Sequence, residues 1–327
     1  SAPYVKTTEI LNEMLRYITQ ISGNVKYAHH EVGYLENIES ESLELKGKNA
    51  EQVEIEFLPT PIEDTGDIIV LSRWIIRNVA YQYGLSATFT PKIEVGHAGS
   101  GMHFHLQLMK DGINVMTDDK GVLSDYARQL IGGLCKYAPS LTAFGNTVAS
   151  SYLRLVPHQE APTLVCWSEM NRSALIRVPL GWSNIENLAG KVNPGTCTPL
   201  PVKPLRQTAE IRTPDGSANT HMLLAGIALA AEWGLTHGKE SLAKAEKCYV
   251  KGNIHDSEGE LGLESIAANC VESGEILDKN RDMFVRDDIF TNQVINFAVK
   301  SLAAEDDKDL NKRLMALPDA DKLRESR

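Results

Sequence analysis

The chain has no C-x-x-C pair, no internal repeat, no low-complexity tract, no long apolar run and no excess of positive charge. Its five cysteines, Cys135, Cys166, Cys197, Cys248 and Cys270, are odd in number and widely spaced. That excludes a framework pairing all of them. It leaves small core thiols in a reduced, cytoplasmic setting. No signal peptide is legible at Ser1. The most apolar run, Met222–Leu235, carries Glu232 and is too short to span a bilayer, so it reads as a core helix. A net charge of −10 makes free nucleic acid and anionic membranes poor partners. What the chain does have is a 43% hydrophobic content over 327 residues, enough for one large domain or two modest ones.

The periodicity predicts elements of both kinds. Ile10, Leu11, Met14, Leu15, Ile18 and Ile21 have helical spacing, with Thr7 or Thr8 as the cap and Gly23 as the stop. Val25–Glu31 reads as a strand. Gln52–Phe57 alternates, with Val53, Ile55 and Phe57 opposite Gln52, Glu54 and Glu56. Segment 33–49 is acidic and reads as an excursion or flap. Further helices are expected over Asp67–Tyr83, Ser124–Tyr137, Thr220–Leu235, Ile266–Val285 and Thr291–Ala304. Strands are expected at Ala87–Thr90, Gly101–Leu108 and Thr208–Thr213. Trp182–Gln207, rich in Gly and Pro, reads as irregular, and the charged tail 305–327 as an exposed helix. Alternating rather than continuously apolar strands favour an α+β fold, a curved antiparallel sheet with helices packed on one face.

Four constellations carry chemistry. His103 and His105 lie two apart after Gly99-Ser100-Gly101, which puts both imidazoles on one strand face. They fit a metal- or phosphate-contacting pair, or two surface histidines. Glu31 and Glu54 sit at the end or on the polar face of predicted strands. They fit hard-cation ligation or plain solvated charge. Glu210 and Arg212 share a strand face ahead of the turn Pro214-Asp215-Gly216, as a functional pair or a structural one. In the window 146–179, Arg154, Arg172 and Arg177, in predicted strands or loops, accompany a loop carboxylate, Glu160, with Glu169 as the only other charge. Arginine forks suit carboxylate and phosphate, so this window points to phosphoryl chemistry on an acidic substrate.

Taken in order, these stretches resemble the catalytic domain of the glutamine synthetase family. The family signature Gly-Ser-Gly-Met-His-x-His stands unaltered at Gly99–His105. Asn146–Pro162 carries Asn-x4-Ser-Tyr-x-Arg-Leu-Val-Pro-x2-Glu-Ala-Pro. Asn171–Pro179 carries Asn-Arg-Ser-Ala-x-Ile-Arg-x-Pro, and Glu210–Asp215 carries Glu-Ile-Arg-x-Pro-Asp. His29–Val32 matches the family's His-His-Glu-Val. Gln52–Ile55 matches its Gly-Gln-x-Glu-Ile segment, with Glu51 in place of glycine. The likeness runs from about Thr7 to Leu235 and weakens beyond.

That resemblance implies a reaction in which ATP phosphorylates the side-chain carboxylate of glutamate and ammonia then displaces phosphate. Two or three Mg²⁺ or Mn²⁺ ions sit between the substrates. It implies Glu31 and Glu54 as ligands of the metal nearer glutamate, and His103 and Glu210 as ligands of the metal nearer the ATP phosphates. His105 and Arg177 would lie at the nucleotide. Arg154 and the Gly99 backbone would hold the amino acid, and Arg172 and Arg212 the phosphoryl charge. Glu160 would shield the intermediate and take a proton from ammonium. Glutamate, ammonia and ATP are the implied partners, in a homo-oligomeric ring.

The chain departs from the family pattern at several points. Ala98 stands where an Asn is usual. Glu31 and Glu54 are 23 residues apart, with an acidic insertion at 33–49. The family's small β-grasp domain and the further Glu-x-Glu strand that follows it come ahead of the helix at which this sequence starts, so the whole of 1–327 reads as a truncated catalytic domain, expected to be inactive alone. Two other readings share the fold, a γ-glutamyl ligase using another amine such as a polyamine, and a non-catalytic ring protein.

Overall fold

The computed structural model describes residues 7–38, 45–156, 162–181, 192–193, 195, 206–252, 262–310 and 313–314. Glu160, Cys197 and most of Trp182–Gln207 lie outside these, as do parts of the acidic segment and of the tail.

The first unit is a helix-backed ribbon. Helix α1 (Thr8–Ser22) ends at Gly23, whose φ of 66° gives the left-handed turn that reverses the chain. Strand β1 (Val25–Leu35) then pairs antiparallel with β2 (Ala50–Phe57), in a register that sets His29 opposite Glu54. The predicted strand therefore runs four residues past Glu31, and part of the acidic excursion is strand. Helix α2 (Ile62–Gln82) packs on α1. Met14, Ile18, Ile75 and Val79 form a small core beneath the ribbon, with Ile55 and Phe57 against it. Ile55 and Phe57 of the β2 alternation thus face the helices while Val53 stays exposed, and the polar face is left for the site.

The second unit is built around α3 (Asp125–Gly145). Ser124 caps it by accepting from Ala127 N–H at 3.2 Å. Nearly every residue from Leu130 to Gly145 is buried. Helix α4 (Ala149–Arg154) follows directly. Helices α5 (Thr220–Thr236), α6 (Gly238–Lys247), α7 (Cys270–Lys279) and α8 (Asn292–Ala303) complete the layer. Gly132 and Gly133 let α6 and α5 approach: a β-carbon at either would meet Ser241 O or Ala230 O at 2.0 Å. Phe144, Phe284 and Phe290 close the far end, with the Phe144 and Phe290 rings stacked at 5.3 Å.

Against this layer lies a four-stranded sheet in the order β3 (Phe104–Leu106), β8 (Ala209–Ile211), β7 (Ile176–Val178), β6 (Trp167–Glu169). Between β3 and α3, the short hairpin β4 (Met109–Lys110) and β5 (Ile113–Asn114) is separate. Three strands of the larger sheet are antiparallel neighbours and β6 joins parallel to β7. The α+β architecture holds, with that parallel edge as its variation. Phe104, Ile176 and Ile211 are buried in the core shared with α3, so the alternate residues face away from the helices.

Three local expectations change. Ala87–Thr90 forms no strand: Thr88 and Thr90 bond each other's hydroxyls at 2.8 Å, and Pro91 brings no donor for a ladder. Arg154 lies on a helix rather than in a strand or loop. The tail is not simply an exposed helix, because Asp307 is buried and accepts from Cys270 and Val271 N–H at 2.8 and 3.3 Å at the start of α7.

Candidate functional site

The register of the larger sheet builds the first cluster. Glu210 stands opposite His105 on one side and Arg177 on the other, so all three project from the same face. Arg212, just past the end of β8, and His103, just ahead of β3, each lie two residues along the chain and join them. The Glu210 carboxylate, 2% exposed, is where they converge. Its Oε1 meets Arg212 Nη1 at 2.8 Å and His103 Nδ1 at 3.1 Å, and its Oε2 meets Arg177 Nη1 at 3.0 Å.

Electrostatics follow from that convergence. Burial pushes Glu210 up, but the His103 hydrogen bond and the Arg212 charge outweigh it and hold the carboxyl down at about 2. Burial lowers His103 despite Glu210, and lowers His105 as well. Neutral His103 donates from Nδ1, which leaves the Nε2 lone pair available as a ligand. His105 Nδ1 lies 3.2 Å from Thr208 Oγ1. Arg172 is exposed on the turn after Asn171, close enough that its charge is felt at Arg212.

The glycine loop and α4 supply the next part. Arg154 is buried, and its Nη2 donates to Thr213 O and, at 3.3 Å, to Pro214 O. Asp215 Oδ2 lies 3.9 Å away. Asp215 is fully buried and accepts from Asn146 Nδ2 at 2.7 Å and from Ser217 N–H and Oγ at 2.9 and 2.6 Å. The sequence marks Asp215 only as a turn residue; in the fold it organises the floor beneath Arg154. A β-carbon at Gly99 would meet Arg154 Cγ at 2.8 Å, and one at Gly101 would meet His103 Nε2 at 2.6 Å. These glycines let the loop lie on the arginine and the histidine. The Nε–H groups of Arg154 and Arg177 are buried and have no partner among the described residues. Unpaired guanidinium donors of this kind suit an anionic ligand.

The ribbon adds an acidic cluster. His29, Glu31 and Glu54 each offer a ligand atom, all within 4.8 Å of one another. His29 Nε2 lies 2.6 Å from Glu31 Oε1 and 3.9 Å from Glu54 Oε2. Partial burial, then the neighbouring Glu31, raise Glu54. A carboxylate held up by another carboxylate is a site short of positive charge. Two oxygens and an imidazole at this spacing fit a hard or borderline divalent ion. Sequence reasoning missed His29, although the period of two in His29-His30-Glu31 places it beside Glu31. Gln52 joins ribbon to loop, donating from Nε2 to Gly99 O at 3.0 Å and to Ser100 Oγ at 3.1 Å. Glu56, on the same face, lies near enough to oppose in part the lowering of His105 by burial. The residues singled out from the sequence thus fall in the Glu210 cluster, the glycine loop on Arg154 and the ribbon cluster, with Gln52 tying ribbon to loop; Arg172 is felt at Arg212, and Glu160 lies outside the described residues.

Two cavities lie elsewhere, one between α1 and α2 and one beside Cys248. Among the described residues no helix is long and apolar enough to cross a membrane.

Comparison with known proteins bears on the family and the fold. The family profile described as "Glutamine synthetase, catalytic domain" matches residues 1–312. A glutamine synthetase of Pyrococcus horikoshii is 34% identical over 287 residues, covering 86% of this chain and 54% of that protein. One of Mycolicibacterium smegmatis is 34% identical over 248 residues, 75% of this chain and 45% of that protein. The chain spans about half the length of the curated relatives it matches. In fold it resembles a Plasmodium falciparum glutamine synthetase seen by cryo-electron microscopy (TM-score 0.68, 22% identity, 95% of this chain, 61% of that one). It also resembles GmaS in its apo form (TM-score 0.65, 20% identity, 95% and 61%). The chain belongs to the glutamine synthetase family and matches its catalytic domain.

Proposed function

We propose that the whole protein joins ammonia to the γ-carboxylate of glutamate at the expense of ATP, by way of γ-glutamyl phosphate. The convergence of His103, Arg177 and Arg212 on buried Glu210 carries this reading. A lone pair of ions would serve structure. Two guanidiniums and a neutral imidazole gathered on one ionised carboxylate, with unpartnered arginine donors beside them, make a site for polyanions.

In this reading Glu31 and Glu54, with His29 beside them, hold one Mg²⁺ or Mn²⁺, and His103 with Glu210 holds another. When bound, the ions neutralise charge on the transferring phosphoryl group. Arg212 and Arg172 flank that group. Arg177 and His105 face the nucleotide. Arg154, backed by Asp215, and the Gly99 backbone receive the amino acid. Glu160 takes the proton that ammonium must lose before it attacks. The residues present fit such ions: Glu210 is ionised, His103 is neutral, and the ribbon carboxylates repel each other without a cation between them. The setting we propose is the cytoplasm, on the cysteine pattern, and the assembly is a ring of identical subunits, on the family.

One observation favours a second reading of the acceptor. Ala98, exposed beside Gly99, offers no amide where the family resemblance leads one to expect it. An organic amine in place of ammonia would keep the phosphoryl machinery and change only this edge. The test is phosphate release by the whole protein with ATP, Mn²⁺ and glutamate, comparing ammonium with a panel of primary amines and polyamines. Fastest turnover with ammonium supports the first reading, and fastest turnover with an organic amine supports the second. ATP binding without amine-dependent phosphate release would sink both.

A further inference from the structure

Gln52 takes no assigned part in the chemistry above, yet its side chain ties three of the elements that carry it. Between the pairs His30–Val53 and Tyr34–Glu51 the ribbon loses its register: β1 carries Glu31, Val32 and Gly33 where β2 carries Gln52 alone. A stretch bulged in this way falls outside the regular ladder. Glu31, one of the two ribbon carboxylates, lies in it. The Gln52 side chain supplies a bond there, its Oε1 accepting from Gly33 N–H at 3.2 Å. Gly33 leaves room for this, since a β-carbon on it would stand 2.5 Å from Gln52 Oε1 and 2.9 Å from Gln52 Cβ. Glu54 stands two residues on from Gln52, on the same face of β2.

The other end of the amide reaches the glycine loop. Nε2 donates to Gly99 O at 3.0 Å and to Ser100 Oγ at 3.1 Å. These partners fix which way round the amide sits, because a carbonyl can only accept and a backbone N–H can only donate. The Gly99 carbonyl and the Ser100 N–H belong to one planar peptide unit. Gln52 holds its oxygen, and its N–H donates to Pro91 O at 2.8 Å. The unit cannot turn without breaking both bonds, and Gly99 at its start packs on Arg154.

We propose that Gln52 is a positioning residue that links a divalent ion at His29, Glu31 and Glu54 to the setting of the glycine loop on Arg154. When Glu31 and Glu54 share an ion, the bulge of β1 and the neighbouring stretch of β2 are fixed together. The Gln52 amide between them then has one place to lie, and the Gly99 peptide follows it. Linkage is reciprocal, so a ligand that sets the loop returns the same advantage to the ion. The link from ion to loop stands on the ribbon and the loop alone. That the ligand received at the loop is glutamate rests on the ligase reading.

The experiment follows amide hydrogen exchange by mass spectrometry on the full chain, with and without Mn²⁺, in the unaltered protein, Gln52→Met and Gly33→Ala. Methionine keeps an unbranched side chain and removes the amide; the alanine methyl pushes the amide off β1. The loop reporters are Ser100 and Met102, whose N–H groups donate to Pro91 O and Pro214 O. In the unaltered protein Mn²⁺ should slow exchange in the ribbon and, by about fivefold or more, at these two loop amides, as coupled sites do. In either variant the ribbon should still respond and the loop should not. Plain loss of stability would speed exchange with and without Mn²⁺ alike and leave the loop's Mn²⁺ response in place, which would overturn the proposal. So would a loop that ignores Mn²⁺ in the unaltered protein. Calorimetry of Mn²⁺ with and without glutamate separates the two readings. Glutamate should tighten Mn²⁺ by about fivefold or more in the unaltered protein and by less in Gln52→Met. If glutamate has no effect on a chain whose loop answers Mn²⁺ through Gln52, the link is upheld and the ligase reading fails.

Discussion

Gly99 lies so close to Arg154 that a β-carbon on the glycine would stand 2.8 Å from the arginine's Cγ and 3.0 Å from the Pro91 carbonyl. Arg154 cannot retreat, because its Nη2 is engaged by the Thr213 and Pro214 carbonyls. Gly99→Ala should therefore displace the loop, destabilising the protein by about 1–3 kcal/mol as overpacking does. If Arg154 holds the amino acid, the variant should also raise KM for glutamate more than KM for ATP. Chemical denaturation and a two-substrate kinetic series check both. An unchanged unfolding midpoint would show that the contact relaxes freely.

Glu210 makes stability depend on acid. Its folded value, about 2, lies below the ordinary 4.5, so its contribution is complete above pH 4.5 and is lost as pH falls toward 2. By linkage, about 2 kcal/mol should be gone at pH 3. Glu210→Gln should lack this portion of the acid sensitivity. It should already be weakened by about 3–5 kcal/mol at neutral pH, because Arg177 and Arg212 lose their shared counter-charge. Urea unfolding of both proteins at pH 6 and pH 3 measures the difference.

The ribbon cluster behaves in the opposite sense. Glu54 is raised, so without a cation its charge is a burden that grows as pH rises through its folded value. Glu54→Gln should leave thermal stability without metal unchanged or slightly higher, and should reduce the stabilisation that Mn²⁺ gives the unaltered protein. Melting curves with and without Mn²⁺ read both arms. An equal Mn²⁺ shift in the two proteins would place the ion elsewhere.

Asp307 caps α7 from 36 and 37 residues away, through Val271 and Cys270 N–H. Removing the acceptor in Asp307→Ala should cost about 0.5–2 kcal/mol, the range of a lost N-cap. Hydrogen exchange should rise first at Cys270 and Val271. A change spread evenly over the chain would mean that the tail acts by packing instead.

Most of the site was legible because it rests on short-range periodicity. His103-x-His105 and Glu210-x-Arg212 each needed only a period of two to put both members on one face, and the antiparallel β3–β8 pairing then brought the two faces together. Helix ends were readable where a cap was local, as at Ser124. What was not legible depends on distant contacts. Asp215 looks like any turn aspartate until Asn146, Ser217 and Arg154 surround it. Ala87–Thr90 has strand composition but no partner strand, and composition outside a ladder does not make one. The parallel β6–β7 edge runs against the rule that alternating strands pair antiparallel, because Trp167 pairs with Ile176 across a link that turns through Met170 at a φ of 55°.

The convergence on Glu210 also constrains how this protein can change over generations. His103 from just ahead of β3, Arg177 from β7 and Arg212 from just past β8 all answer to one carboxylate. Loss of the carboxylate leaves two guanidiniums facing each other, and loss of any one donor leaves the others to hold a charge tuned for three. Substitutions here are strongly coupled, so a lineage abandoning the chemistry should lose the four together or keep them all, and a chain carrying only some of them should be caught in passage between two stable solutions.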